Sequence, residues 1–151
     1  MAMLMMLATT LTGKGPLAPL YAIAATFHRT WTTAQGVQAG PLLLGAMLHM
    51  MSSIIYGVVF GLLAAALSLR QRGAGATVLA AMLWGLAILL LNQLIVLPVV
   101  DPALVSATAG GIFLWWAVSH LMFGLALGFI VARRPLAAAQ PTASAHLHPA
   151  A

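Results

Sequence analysis

The chain has no cysteine and a single acidic residue, Asp101. Without cysteine there can be no disulfide, thiolate metal site or thiol nucleophile. With one carboxylate there is no acid–base pair of the kind general acid–base chemistry uses, and no Ser/His/Asp set can be assembled inside the apolar segments. Charge of any sign is scarce: 5% of residues are charged, where a soluble domain carries about a quarter. The alternating segments of about ten residues that build a transmembrane β-barrel are missing too. No glycine-rich phosphate loop is present, since "RGAGA" at 72–76 reads as a turn between helices. These absences point to a protein that is not an enzyme.

What the chain does have is apolar sequence in long blocks. Of its 151 residues 63% are hydrophobic, and the mean hydropathy is +1.07. Crossing a bilayer takes about 20 apolar residues. Three blocks are that long: Leu42 to Leu69, Ala76 to Val100 and Ile112 to Ala132. Each is apolar on every side and rich in Ala, Leu and Met, so each reads as a helix. The opening "MAMLMMLATTLT" is apolar but short, and it lacks the basic start and small-residue cleavage site of a signal peptide. It stops sharply at "TGKGP". We read it as a short first helix over about residues 1–12, its start at or upstream of Met1, in preference to a half-embedded anchor.

Between this helix and the next, "PLAPLYAIAATFHRTW" is too short to cross. Its Tyr21, His28, Arg29 and Trp31 suit the membrane–water interface, which places an interfacial segment at about 20–31. The Pro/Ala-rich tail over 135–151 has no apolar face and reads as disordered. A histidine pair in it, His146 and His148, reads as solvated. The expected fold is therefore all-α: a four-helix transmembrane bundle over 1–134, its first helix short, with an interfacial segment between helices 1 and 2.

The six cations are Lys14, Arg29, Arg70, Arg72, Arg133 and Arg134. A sequence pI near 11.5 would suggest nucleic acid in a soluble chain. Here the cations flank the apolar blocks, where they set orientation and meet lipid headgroups. The expected partner is membrane lipid and not nucleic acid. Arg70 and Arg72 follow the second helix and Arg133 and Arg134 the fourth, so the positive-inside rule puts both pairs, and with them both termini, in the cytoplasm.

"SSIIYGVVFG" (Ser52 to Gly61) aligns without a gap on "SHLMFGLALG" (Ser119 to Gly128). The shared Gly57/Gly61 and Gly124/Gly128 are GxxxG pairs, which let helices approach closely in lipid. They suit packing of the second helix on the fourth, or of one protomer on another membrane subunit or a second copy.

A few polar residues interrupt the apolar blocks. At about 1.5 Å per residue, His49 lies about 10 Å along its helix from Leu42 and His120 about 12 Å from Ile112. Asn92 lies about 12 Å back from Val100 on the same rise. All three are thus expected at one depth in the outer third of the membrane, with Ser52, Ser53, Ser119 and Gln93 within a turn and Tyr56 further in. Polar groups facing lipid are costly, so this layer should point into the bundle. Its plainest role is hydrogen-bonded contact between helices, about 0.6–2 kcal/mol each. A sharper alternative makes His49 and His120 the axial ligands of a b-type haem, the glycines below leaving room for the macrocycle, in a redox or sensor protein. A copper(I) site using Met47, Met50, Met51 and Met122 and a proton path through the histidines complete the alternatives. Neither has convergent ligands or membrane carboxylates to support it.

The succession "GAMLHMMSSIIYGVVFG", "WGLAILLLNQLIVLPVV" and "AVSHLMFGLALGF" resembles small bacterial inner-membrane proteins of the YagU-like kind over about Gly40 to Arg134. By that resemblance His49, Asn92, Pro98 and His120 are the recurring positions. The family's third-helix position is His where this chain has Asn92, which counts against a metal there. The resemblance implies a multi-pass protein of the bacterial inner (cytoplasmic) membrane and carries over no catalytic residue. The expected function is that of a non-enzymatic accessory or structural subunit without cofactor, packing through small-residue helix faces, with the haem protein as the alternative.

Overall fold

A computed structural model of the chain describes residues 2–27, 36–107 and 111–133. The described secondary structure is entirely helical, in the order α1 (Ala2–Leu11), α2 (Ala18–Ala25), α3 (Ala39–Ala66), α4 (Ala74–Leu91), α5 (Leu97–Val100), α6 (Pro102–Ala107) and α7 (Gly111–Arg133). Residues 28–31 of the expected interfacial segment, Arg134 and the tail over 135–151 lie outside the described residues.

Among the described residues three helices are long and apolar enough to cross a membrane: Ala39–Ala66, Ala74–Val100 and Ile112–Arg133. α1 is not one of them. Its ten residues rise about 15 Å, half of a hydrocarbon core of about 30 Å. It lies against α7 and α2 and buries Met5, Ala8 and Thr9. Its stop is built from backbone: the N–H of Gly13 (φ +75°) donates to the Thr10 carbonyl at 3.1 Å and that of Lys14 to the Thr9 carbonyl at 2.8 Å. That double bond around a left-handed glycine is the Schellman ending, and it explains why the block halts at "TGKG".

α2 covers the end where α3 begins. Leu20, Tyr21 and Ala24 are buried there. Gly45 of α3 takes the contact, since a methyl group on it would collide with the Leu20 carbonyl oxygen. The Tyr21 hydroxyl accepts from the Gln38 N–H and lies 3.2 Å from the Gly36 and Gln38 carbonyl oxygens, tying the loop before α3 to α2.

α3 begins three residues ahead of the expected Leu42, because Pro41 sits in its first turn, where a missing N–H costs nothing. It stops at Ala66, three residues early, where Ser68 turns left-handed (φ +51°). Leu69–Arg72 then form one 3-10 turn closed by Gly73 (φ +98°). The fully buried Thr77 hydroxyl, 3.1 Å from both the Leu69 and Gly73 carbonyl oxygens, ties that turn to α4.

α4 runs through a π turn over Asn92–Val96 into α5, making one span. Pro98 offers no N–H and its ring crowds the carbonyl four residues back. The helix widens just before it, and the Leu97 N–H reaches the Asn92 carbonyl five residues back.

α4 and α7 form the principal packed pair. Methyl groups on Gly85 and Gly124 would collide with the carbonyl oxygens of His120 and Ala81, and one on Gly128 would stand 2.7 Å from the Val78 Cα. As the α4 number falls the α7 number rises, so the pair is antiparallel and the two backbones touch over two turns. α3 joins this pair through Phe60 and Ala64, which pack with Leu69 and Ala81. It is the least covered span, with 6% of its apolar window buried against 22% and 28% in the other two.

Candidate functional site

Of the polar groups singled out from the sequence, Ser52, Ser53, Ser119 and His120 turn back on their own helices. The Ser52 and Ser53 hydroxyls donate to the His49 carbonyl at 3.0 and 2.7 Å. The buried Ser119 donates to the Trp115 carbonyl at 2.8 Å. In lipid a serine has no water to satisfy it, and a carbonyl one turn back is the nearest acceptor.

His120 is 5% exposed, and its Nδ1 lies 2.8 Å from the Trp116 carbonyl oxygen. A carbonyl only accepts, so Nδ1 carries the hydrogen and Nε2 keeps its lone pair. The Trp116 ring lies over the imidazole at 6.3 Å. His49 is half-buried.

Tyr56 ties α3 to α4 through both its side chain and its backbone. The Tyr56 hydroxyl donates to Asn92 Oδ1 at 3.5 Å, and the Trp84 indole donates to the Tyr56 carbonyl at 3.1 Å. Tyr56 was expected deeper than Asn92. It reaches Asn92 because helical side chains lean toward the N-terminus of their helix, which carries the phenol outward.

The depths differ from the sequence reading in a second respect. His120 lies opposite Gly85, and Asn92 is seven residues further along α4. At about 1.5 Å per residue their backbones differ by about 10 Å in depth, so the three polar positions do not form one flat layer. Counting from helix ends missed this because antiparallel register is set by where the glycines dock and not by where the apolar blocks start.

The glycines also play another part. Gly124 and Gly128 are filled by the backbone of α4 at Ala81, Met82 and Val78, so they leave no space for a macrocycle and do not pack against α3. Gly57 meets only Leu127 Cδ1 at 3.9 Å, and Gly61 has nothing within 4 Å. Met47, Met50 and Met51 are exposed on α3 and Met122 on α7. Among the described residues no group of three or more histidine or carboxylate side chains could hold a metal ion.

Gly85 carries the closest backbone contact of α4 and was not singled out from the sequence. For Gly85 a signal existed. Thr77, Ala81 and Gly85 recur every four residues and are all buried, a small-residue stripe of the kind that seats a neighbouring helix.

Comparison of the chain with protein-family models, with curated proteins and with solved structures finds no match.

Proposed function

We propose that the protein is a non-enzymatic multi-pass subunit of the bacterial inner membrane, with α1 as the short fourth helix of the bundle and both termini in the cytoplasm. In this reading its task is to pack against a second membrane chain, another subunit or a copy of itself. The observation that supports it is the face of α3 around Gly57 and Gly61. This is a GxxxG pair on the least covered span, with open space at Gly61, and such a face admits another helix backbone at close range. Among the described residues nothing lies within 4 Å of a side chain begun at Gly61, so Gly61→Leu should leave the fold intact while blocking that approach. The test is the mass of the detergent-solubilised protein, alone and with its co-purifying membrane chains, for wild type and Gly61→Leu. A complex lost in the variant supports the proposal; an unchanged species removes this face from it.

A second reading, haem binding, is favoured by one observation, the His120 tautomer that leaves Nε2 free to ligate, as metal-bound histidines are commonly held. Against it stands the occupied space at Gly124 and Gly128. An absorption spectrum with metal analysis separates the two. Under the subunit reading the protein is colourless. Under the haem reading it shows a Soret band that His49→Ala and His120→Ala abolish.

A further inference from the structure

α3 and α4 part slightly before their connecting turn and leave an apolar groove of about 310 Å³. Its walls include Leu63 and Leu67 from α3 and Leu83 and Trp84 from α4, with the buried Phe60 beneath and Leu69 at its end. Leu69 opens the 3-10 turn, and the next residues of that turn include Arg70 and Arg72. The groove thus reaches Leu69, whose 3-10 turn carries Arg70 and Arg72 immediately after it. Arg133 lies level with this turn, because the α4–α7 register that sets Gly128 against Val78 brings the end of α7 level with the start of α4. The one acidic side chain of the sequence, Asp101, stands at the far end of that span.

We infer that this groove is a binding site for one anionic phospholipid of the surrounding membrane, an acyl chain lying along Leu63, Leu67 and Leu83 and the phosphate meeting Arg70 and Arg72. The argument joins shape to charge. The walls offer an acyl chain only carbon apart from the indole, whose N–H is already given to the Tyr56 carbonyl. The groove therefore discriminates at the headgroup alone. Arginine holds a phosphate with a planar fork of donors, and basic positions between spans on the cytoplasmic side select anionic headgroups. A zwitterionic lipid would fill the same groove but bring a trimethylammonium group toward two guanidinium ions. The assignment rests on the membrane reading above.

Trp84 lines the groove and reports its occupant. The wild type and Trp84→Phe are reconstituted in phosphatidylcholine bilayers, and the difference of their emission isolates the Trp84 signal. Acyl-brominated phosphatidylglycerol or acyl-brominated phosphatidylcholine is then added at low mole fraction. The expected result is half-quenching of Trp84 at a mole fraction at least threefold lower for the brominated anionic lipid. That preference should be lost in Arg70→Gln/Arg72→Gln and should shrink in wild type at high salt, where exposed charges are screened. The salt arm uses unaltered protein and stands even if the double variant fails to fold. Equal quenching by the two lipids, or a preference that survives both the substitutions and high salt, overturns the assignment. No quenching by either lipid overturns the membrane reading together with it.

Discussion

Gly85 and His120 meet backbone to backbone, and a methyl group on the glycine would collide with the histidine's carbonyl oxygen. This contact fixes how far α4 and α7 may slide past each other. It therefore sets the depth of His120, whose Nδ1 bond to Trp116 then fixes the ring on the α7 surface.

Glycine substitutions on this seam should separate sharply from those elsewhere. Gly85→Ala and Gly124→Ala force the two helices apart, at a cost of about 1–3 kcal/mol, the range for overpacked interiors. Gly61→Ala meets nothing within 4 Å among the described residues and should not destabilise, alanine's helix propensity adding up to about 1 kcal/mol. Reversible unfolding of each variant in mixed micelles checks the contrast, and equal effects at the three positions would refute this packing.

The sequence showed the spans well because a run of apolar residues as long as the bilayer is thick has few other uses. The expected bounds of α3 differ by three residues at each end, since Pro41 fits inside the first turn and Ser68 turns left-handed. The pairing of α4 with α7 was not legible in the same way. The repeat drew attention to Gly57 and Gly61 alongside Gly124 and Gly128, yet nothing along the chain says which small-residue stripe meets which. That choice depends on the whole shape of both helices, and Thr77, Ala81 and Gly85 supplied the better match.

Tyr56 and Asn92 should couple weakly. Their bond spans 3.5 Å between half-buried groups, and hydrogen bonds between membrane helices average about 0.6 kcal/mol. A double-mutant cycle of Tyr56→Phe and Asn92→Ala should return about that figure. A coupling above about 2 kcal/mol would exceed the range seen for such bonds and would assign the pair a larger part in holding α3.

Thr77→Val keeps the shape of the side chain and removes its hydroxyl. The Gly73 carbonyl still receives the Thr77 N–H at 3.2 Å, whereas the Leu69 carbonyl loses the hydroxyl's hydrogen bond. The expected cost is about 1–3 kcal/mol, that of a buried polar group left unsatisfied. Amide exchange over 69–73 should quicken with it. Stability and exchange rates equal to wild type would show that the hydroxyl does not hold the turn.

The cysteine-free chain makes single introduced cysteines clean reporters of sidedness. Gln71 and Ser106 are exposed and lie beyond opposite ends of the α4 span. In intact cells an impermeant thiol reagent should label Ser106→Cys and leave Gln71→Cys unlabelled until the membrane is opened. The reverse pattern would invert the proposed orientation, and labelling of both before opening would contradict a span between them.

The π turn over Asn92–Val96 has a further consequence for how the span presents itself. Such a turn holds about one residue more than an α turn, so everything beyond it is advanced by one position, about 100° of rotation at 3.6 residues per turn. Val99 and Val100, both exposed, therefore face a direction that the spacing of Thr77, Ala81 and Gly85 does not predict. A helical wheel drawn through the whole span superimposes two azimuths that the molecule keeps apart. Removing one residue from within the turn would bring the two halves of the span into phase and swing the end that carries Asp101 about a quarter of a circle around the helix axis.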